Sequence, residues 1–247
     1  MRIFPLSEGR FTVDRTKEFL PFDPESDALS GRPSGSLLVE VQPFLIETSE
    51  DLILLDAGLG FQEEGVLQLH RNIRREGFSP EQVTKVLMTH LHKDHSGGLF
   101  IHQTNGAIEL SFPSADIYVQ GKELEWALEK GGSSYRTPEL SLLRTHPKVH
   151  FVEGDGIIDG YIKYQLTGAH SPFHQVFWIV DGGERAFFGG DEAPQLVQMK
   201  NRFTAKYDFD GRKSMLLRQQ WWSEGMQQGW SFLFYHDIKT PVFPSTA

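Results

Sequence analysis

THLHKDHSGG, residues 89–98, places His90, His92, Asp94 and His95 within six positions and follows them with two glycines. One histidine in a core is ordinary; four metal-capable side chains at this density imply a built site. The preceding run KVLMT, 85–89, reads as a strand that enters the cluster directly. In extended backbone, side chains repeat every two positions, so His90 and His92 are expected to point the same way and share one ion. Asp94 and His95 are adjacent, diverge from that pair, and suit a second ion. Gly97 and Gly98 are expected to leave the approach to the site uncrowded.

The local cluster alone supplies too few donors for two closed sites, so further ligands are sought downstream. Three stand at the ends of expected strands: His170 after QLTGA, Asp191 after FFGG and His236 after FLFY. Strand ends in a layered fold share a rim, where loops build sites on a rigid scaffold. The seven donors exceed what one tetrahedral zinc takes, but suit two metals that share a carboxylate. His90, His92 and His170 would hold one ion, Asp94, His95 and His236 the other, with Asp191 between them. The chain has no cysteine, so any metal rests on His, Asp or Glu.

Elsewhere, FLIETSEDLILLDAGLG (44–60) reads as a hairpin that delivers Asp56 to a glycine-flanked loop. A helix is expected over 66–78 with Gly77 as its stop, and another over 122–130 closed by Gly131-Gly132. DIYVQ (116–120), KVHFVEG (148–154), YIKYQLTG (161–168) and the 176–191 hairpin read as strands, 210–229 as a helix, and 229–237 as a last strand. The segment 9–36 is polar, interrupted by Pro and Gly, and aperiodic. It is expected as a loose N-terminal arm, with a lid or a dimer contact as its functional readings. No linker or repeat interrupts the 247 residues, and one domain, 1–247, with helices covering a two-sheet core is the simpler reading.

Composition narrows the function. The net charge of −9 argues against long nucleic acids as partners. No run of 18 apolar residues marks a membrane span. The N-terminus lacks a signal-like apolar stretch, so a cytoplasmic location is expected. His70, His102, His146 and His150 read as structural or solvent-exposed, Trp221-Trp222 as core, and RREG (74–77) as a solvated helix end.

The pattern His90-x-His92-x-Asp94-His95, with His170, Asp191 and His236 downstream in that order, resembles the metallo-β-lactamase-fold hydrolases over most of the chain, from LLDAGLG (54–60) to FYHD (234–237). The resemblance implies an α/β (α+β) four-layer αββα sandwich with a dinuclear site on one edge. It implies two divalent cations, zinc first, with iron and manganese also suited to these donors. Asp56 matches the family's early strand-end aspartate, which supports the histidine loop. The true β-lactamase branches fit poorly, since they lack a bridging aspartate at the position of Asp191. The HLHKDHSGG and His236-Asp237 wording is similar to acyl-homoserine-lactone hydrolases, and glyoxalase-II-like thioesterases share the ligand set.

The expected activity is therefore hydrolysis of a lactone or other carboxylic ester by an activated hydroxide, with Asp94 serving as ligand and proton carrier. Thioesters and small phosphodiesters are the alternatives, a small molecule is the expected partner, and a homodimer is expected from the N-terminal arm. GAHSPFH departs from the family's usual wording: Phe173 is expected to bring a ring beside the site, and His174 is read as a packing residue or one that supports a ligand from behind, rather than as a ligand. Tyr135, Tyr207 and Tyr235 are each candidates to assist the reacting carbonyl. The segments 9–36, 100–115 and 192–210 are expected to shape the substrate pocket.

Overall fold

The computed structural model describes residues 1–244. Two six-stranded sheets face each other. The first runs in the order Arg2–Pro5, Phe44–Glu47, Leu52–Leu55, Lys85–Leu87, Asp116–Gln120, Val149–Val152. Its first three strands are antiparallel; from Leu52–Leu55 onward neighbours are parallel. The second runs Gly156–Ile158, Ile162–Leu166, Gln175–Asp181, Glu184–Phe188, Trp230–Leu233, Val242–Pro244.

Period-two alternation explains the layering. Phe44, Ile46, Ile53, Leu55 and Leu87 face inward against Ile162, Phe177, Ile179, Phe188 and Leu233 of the second sheet. Leu45, Leu54 and Val86 face the other way and pack on Leu69 and Ile73 of the helix Gln68–Arg75 and Leu124 of the helix Gly121–Lys130. The outer face of the second sheet, Val176, Trp178, Phe187 and Phe232, is covered by Trp221 of the helix Gly211–Gln228. Asp210 caps that helix by accepting from Lys213 N–H at 2.9 Å, and Gly229 ends it at φ 70°. These are the four αββα layers that the resemblance implies.

Most expected elements lie where the pattern puts them. The 66–78 helix is shorter, because Val66–Leu67 pair with Gln62–Glu63 as a two-residue ladder before Gln68 begins the helix. The segment 9–36 differs from the expected loose arm. Gly9–Val13 pairs with Phe19–Pro21 on one side and Leu37–Val41 on the other, a three-stranded sheet in which Phe11 and Thr12 are buried. Burying Phe11 opposite Val39 outweighs the polar composition around it. Phe173 packs edge-on to Trp126, with ring centroids 6.5 Å apart, and is not among the side chains that line the cavity described below.

Candidate metal centre

The strand Lys85–Leu87 ends two residues before the cluster, and His92 leads into a single helical turn, Lys93–Ser96. That turn puts Asp94 and His95 on the rim beside the loop carrying His170 and the turn Gly190–Glu192 carrying Asp191. The donor atoms gather into two groups: His90, His92, His170 and Asp191 in one, and Asp94, His95 and His236 in the other. All seven sequence-derived donors are thus brought together.

In the first group His90 Nε2 lies 2.8 Å from His92 Nδ1, which lies 3.2 Å from His170 Nε2. His170 Nε2 is 3.2 Å from Asp191 Oδ2. In the second, Asp191 Oδ1 is 3.1 Å from His95 Nε2 and 3.0 Å from His236 Nε2. Asp94 Oδ2 lies 3.6 Å and 3.5 Å from the same two nitrogens. The two oxygens of Asp191 therefore address different groups. Donors about 2.0–2.2 Å from a tetrahedral ion stand roughly 3.3 Å apart, which is the spacing seen in both groups. His95 Nε2 and Asp191 Oδ1 are buried without a hydrogen-bond partner, as donors aimed at a cation would be. The residues present fit two metal ions.

Four of the five rings are held from behind. His95 Nδ1 is 2.7 Å from Asp56 Oδ2, His170 Nδ1 is 2.9 Å from Asp208 Oδ1, and His236 Nδ1 is 2.6 Å from the Glu40 carbonyl. His90 Nδ1 is 3.0 Å from Thr89 Oγ1. These contacts leave Nε2 free on four rings, and only His92 presents Nδ1. Asp56 is fully buried at φ 52° and also accepts from Thr89 N–H at 2.7 Å and Thr89 Oγ1 at 2.8 Å.

Charge is divided among the donors: against the effect of burial, Asp191 and Asp208 hold His170 above the usual imidazole value. Burial, then neighbouring histidines, hold His90 and His92 well below the usual imidazole value, so both are neutral donors. Burial opposes protonation of His95 as well, but Asp191, Asp94 and Asp56 outweigh it and hold that ring well above its usual value. Asp191, against the effect of burial, is held well below the carboxylate range by His236, His95 and His170.

Sequence reasoning missed a set of buried polar residues around the donors. Glu192 Oε1 accepts from Ala169 N–H (2.7 Å), His170 N–H (3.1 Å) and Thr167 Oγ1 (2.7 Å), fixing the His170 loop. Glu123 ties the two histidine loops together, accepting from Leu91 N–H at 3.1 Å and Ser171 Oγ at 3.0 Å. Asp208 and Glu123 sit in no recognisable motif; only the position of Glu192 beside Asp191 was a signal. His174 is buried 4.9 Å from His90, ring to ring, consistent with packing. Gly97 and Gly98 serve a purpose other than the expected one. A Cβ on Gly98 would overlap the Ala57 carbonyl and one on Gly97 the Leu59 carbonyl, so both allow the loop after Asp56 to lie against the histidine turn.

The donors open onto a cavity of about 510 Å³. Val13, Phe19, Leu37, Val39 and Pro194 form its apolar wall, and Tyr207 stands at its edge. Segments 9–36 and 192–210 contribute to it as expected. Segment 100–115 contributes none of the lining residues and instead forms the hairpin Phe100–His102 with Ile108–Leu110. Of the three tyrosines, Tyr235 is buried, stacked 4.0 Å from His95 and donating to the Asp94 carbonyl at 2.6 Å. Tyr135 is buried against His92 at 5.0 Å. Tyr207 alone of the three lines the cavity, its ring 6.1 Å from that of His170. His102 and His150 are exposed beside Glu139 and Asp116. No helix of the described residues is long and apolar enough to cross a membrane.

A family model described as the metallo-beta-lactamase superfamily matches residues 39–220. N-acyl homoserine lactonase AiiA of Bacillus thuringiensis subsp. kurstaki is 28% identical over 167 residues, 60% of this chain and 61% of its own length. The lactamase-like protein adaB of Aspergillus niger is 27% identical over 164 residues, 66% of this chain and 42% of that protein. The chain thus spans less than two thirds of the length of either relative. Among solved structures, a probable metal-dependent hydrolase from Staphylococcus aureus superposes with a TM-score of 0.79 at 23% identity, covering 99% of this chain and 92% of that one. AidC, a dizinc quorum-quenching lactonase, superposes at 0.73 with 20% identity, covering 97% and 88%. These structural likenesses show the fold.

Proposed function

The chain belongs to the metallo-beta-lactamase superfamily, and we propose that it is a metal-dependent hydrolase of carboxylic esters, lactones foremost. The observation that carries this reading is Asp191, whose two carboxylate oxygens face two separate donor groups on the floor of a partly apolar cavity. His90, His92 and His170 would hold one cation, Asp94, His95 and His236 the other, with Asp191 shared. Zinc is our assignment, and iron and manganese suit the same donors. Bound cations would supply charge that polarises the scissile carbonyl and acidifies an attacking water.

The chain's own side chains do the rest. The wall of Val13, Phe19, Leu37 and Val39 receives an apolar acyl portion and displaces water from it. The segment 9–36 carries part of that wall and acts as a lid over the reacting group. Water adds to the carbonyl carbon, and the bond from that carbon to the alkoxy oxygen breaks. Asp94 takes a proton from the adding water and passes it to the departing oxygen, and the acid formed releases the second proton to solvent, leaving a carboxylate and an alcohol, joined in one molecule when the substrate is a lactone. Tyr207, open to the cavity, donates its hydroxyl to the developing oxyanion. The lactonase relatives support the lactone over other esters.

The test is acid release from a series of lactones by the metal-loaded protein, with Asp191→Asn as the blank. Turnover that disappears in the variant supports the reading. Absence of turnover on lactones, with thioesters or small phosphodiesters cleaved instead, moves the assignment to those bonds.

A further inference from the structure

The cavity carries charge that ester hydrolysis alone does not use. Arg15, Lys17, Lys93 and Lys206 line it, and among the described residues none of the four forms an ion pair or a side-chain hydrogen bond. Other cations of this acidic chain are engaged: Lys85 with Asp51 at 2.7 Å, Arg32 with Asp27 at 2.9 Å, and Arg71 with Glu63. Outside the two donor groups, the one carboxylate among the lining residues is Asp14. Its Oδ1 is already occupied, accepting from Thr16 N–H at 2.8 Å and Thr16 Oγ1 at 2.6 Å.

The backbone holds two of these cations in place. Lys17 sits at φ 64°, a left-handed conformation that a lysine does not favour, and its N–H closes a turn onto the Asp14 carbonyl at 3.1 Å. That turn joins the strands Gly9–Val13 and Phe19–Pro21, so the sheet that supplies the apolar wall also sets Arg15 and Lys17 at the mouth. Lys206 lines the same cavity, adjacent in the chain to Tyr207. Unpaired cations in a cleft concentrate field, raise the capture rate of anions and select against neutral competitors.

We infer that the substrate carries a fixed negative charge, a carboxylate or a phosphate, in addition to its scissile ester, and that Arg15, Lys17 and Lys206 receive that charge. The inference rests on the ester-hydrolase reading and specifies its substrate class: an anionic ester or lactone with an apolar portion. Arg15 offers a planar fork that suits either group, and the two lysines act as point charges around it. Hydrolysis would then release a product with two anionic groups, the resident one and the new carboxylate.

The experiment uses three matched γ-lactones that differ only at the end of one side arm: a neutral amide, a carboxylate and a phosphate. Each is given to the metal-loaded wild type and to the Arg15→Gln/Lys17→Gln/Lys206→Gln variant, and the ratio of kcat/KM, anionic to neutral, is read. We expect the wild type to favour one or both anionic lactones by about tenfold, less as salt is raised, with the ratio falling close to one in the variant. The arm preferred, carboxylate or phosphate, identifies the group. A wild-type ratio of one with the neutral lactone turned over overturns the inference and leaves the hydrolase reading intact. A preference that the variant keeps overturns it too, since the charge is then received elsewhere. If no lactone is cleaved, the hydrolase reading fails separately, and calorimetric binding of the same compounds decides: tighter anion binding lost in the variant supports the inference, and equal binding overturns it.

Discussion

Asp208 Oδ1 lies 2.9 Å from His170 Nδ1, and this contact determines which nitrogen of the ring faces the cavity. Nothing local makes Asp208 conspicuous. It reaches His170 because the backbone of the next two residues is pinned to the same loop, Phe209 N–H on the His170 carbonyl at 3.1 Å and Asp210 N–H on the Ala169 carbonyl at 2.7 Å. Asp208→Asn keeps the shape and removes the charge that orients the ring. We expect metal affinity to fall about tenfold to a hundredfold with the fold intact, as measured by chelator competition. Unchanged affinity would show that the ring is fixed by packing alone.

Gly98 tests the other support. Its backbone N–H bonds to the Gly58 carbonyl at 3.3 Å, and a Cβ there would overlap the Ala57 carbonyl. Gly98→Ala should push the 57–60 loop away and disturb Asp56, costing about 1–3 kcal/mol of stability and weakening metal binding at His95. Gly31→Ala, where nothing stands within 4 Å of the added carbon, is the control and should be close to neutral. Equal denaturant midpoints for the two variants would contradict the close-approach account.

These two supports mark the limit of what a sequence can announce. The donors His90 to His95 are legible because they are close in the chain, and their downstream partners because each ends a strand. The strands at 44–47, 52–55 and 116–120 are legible because short apolar runs bounded by turn residues have few alternative folds. The sheet at 9–41 is not, because Phe11 gains its partner Val39 only after 27 intervening positions, and the polar residues between them hide the alternation. Glu123, Glu192 and Asp208 are lone acids whose roles exist only after packing has buried them against backbone N–H groups or a ring nitrogen. Gly97 and Gly98 are visible but ambiguous, since a glycine that admits a ligand and one that admits another backbone look alike.

His70 gives a pH prediction away from the donors. It is buried, edge-on to Phe112 at 5.2 Å, and its Nε2 has no hydrogen-bond partner. Burial, helped by Arg74, pushes its pKa from 6.5 down to about 4. In the window between those values the unfolded chain binds a proton that the folded chain refuses. His70 therefore costs no stability above that window, and stability is lost as the pH falls through it, on the order of 2 kcal/mol. Replacing the ring with one that cannot titrate, His70→Phe, should flatten this part of the profile. Denaturant unfolding from neutral pH down to about pH 4 checks it, and parallel profiles for the two proteins would remove His70 from the account.

Tyr207 and Tyr235 separate a reacting group from a supporting one. Tyr235 is fully buried, and its hydroxyl is committed to the Asp94 carbonyl at 2.6 Å. Tyr207 lines the cavity and is 41% exposed, so its hydroxyl can meet a bound carbonyl. Tyr207→Phe should lower kcat about tenfold to a hundredfold while KM changes little, because a donor to the oxyanion matters most once charge has developed. Tyr235→Phe should instead lower stability by about 1–2 kcal/mol and loosen metal binding through Asp94, with a smaller effect on kcat at saturating metal. If Tyr207→Phe raised KM and left kcat unchanged, the hydroxyl would belong to substrate binding, and stabilisation of the oxyanion would fall to the bound cations.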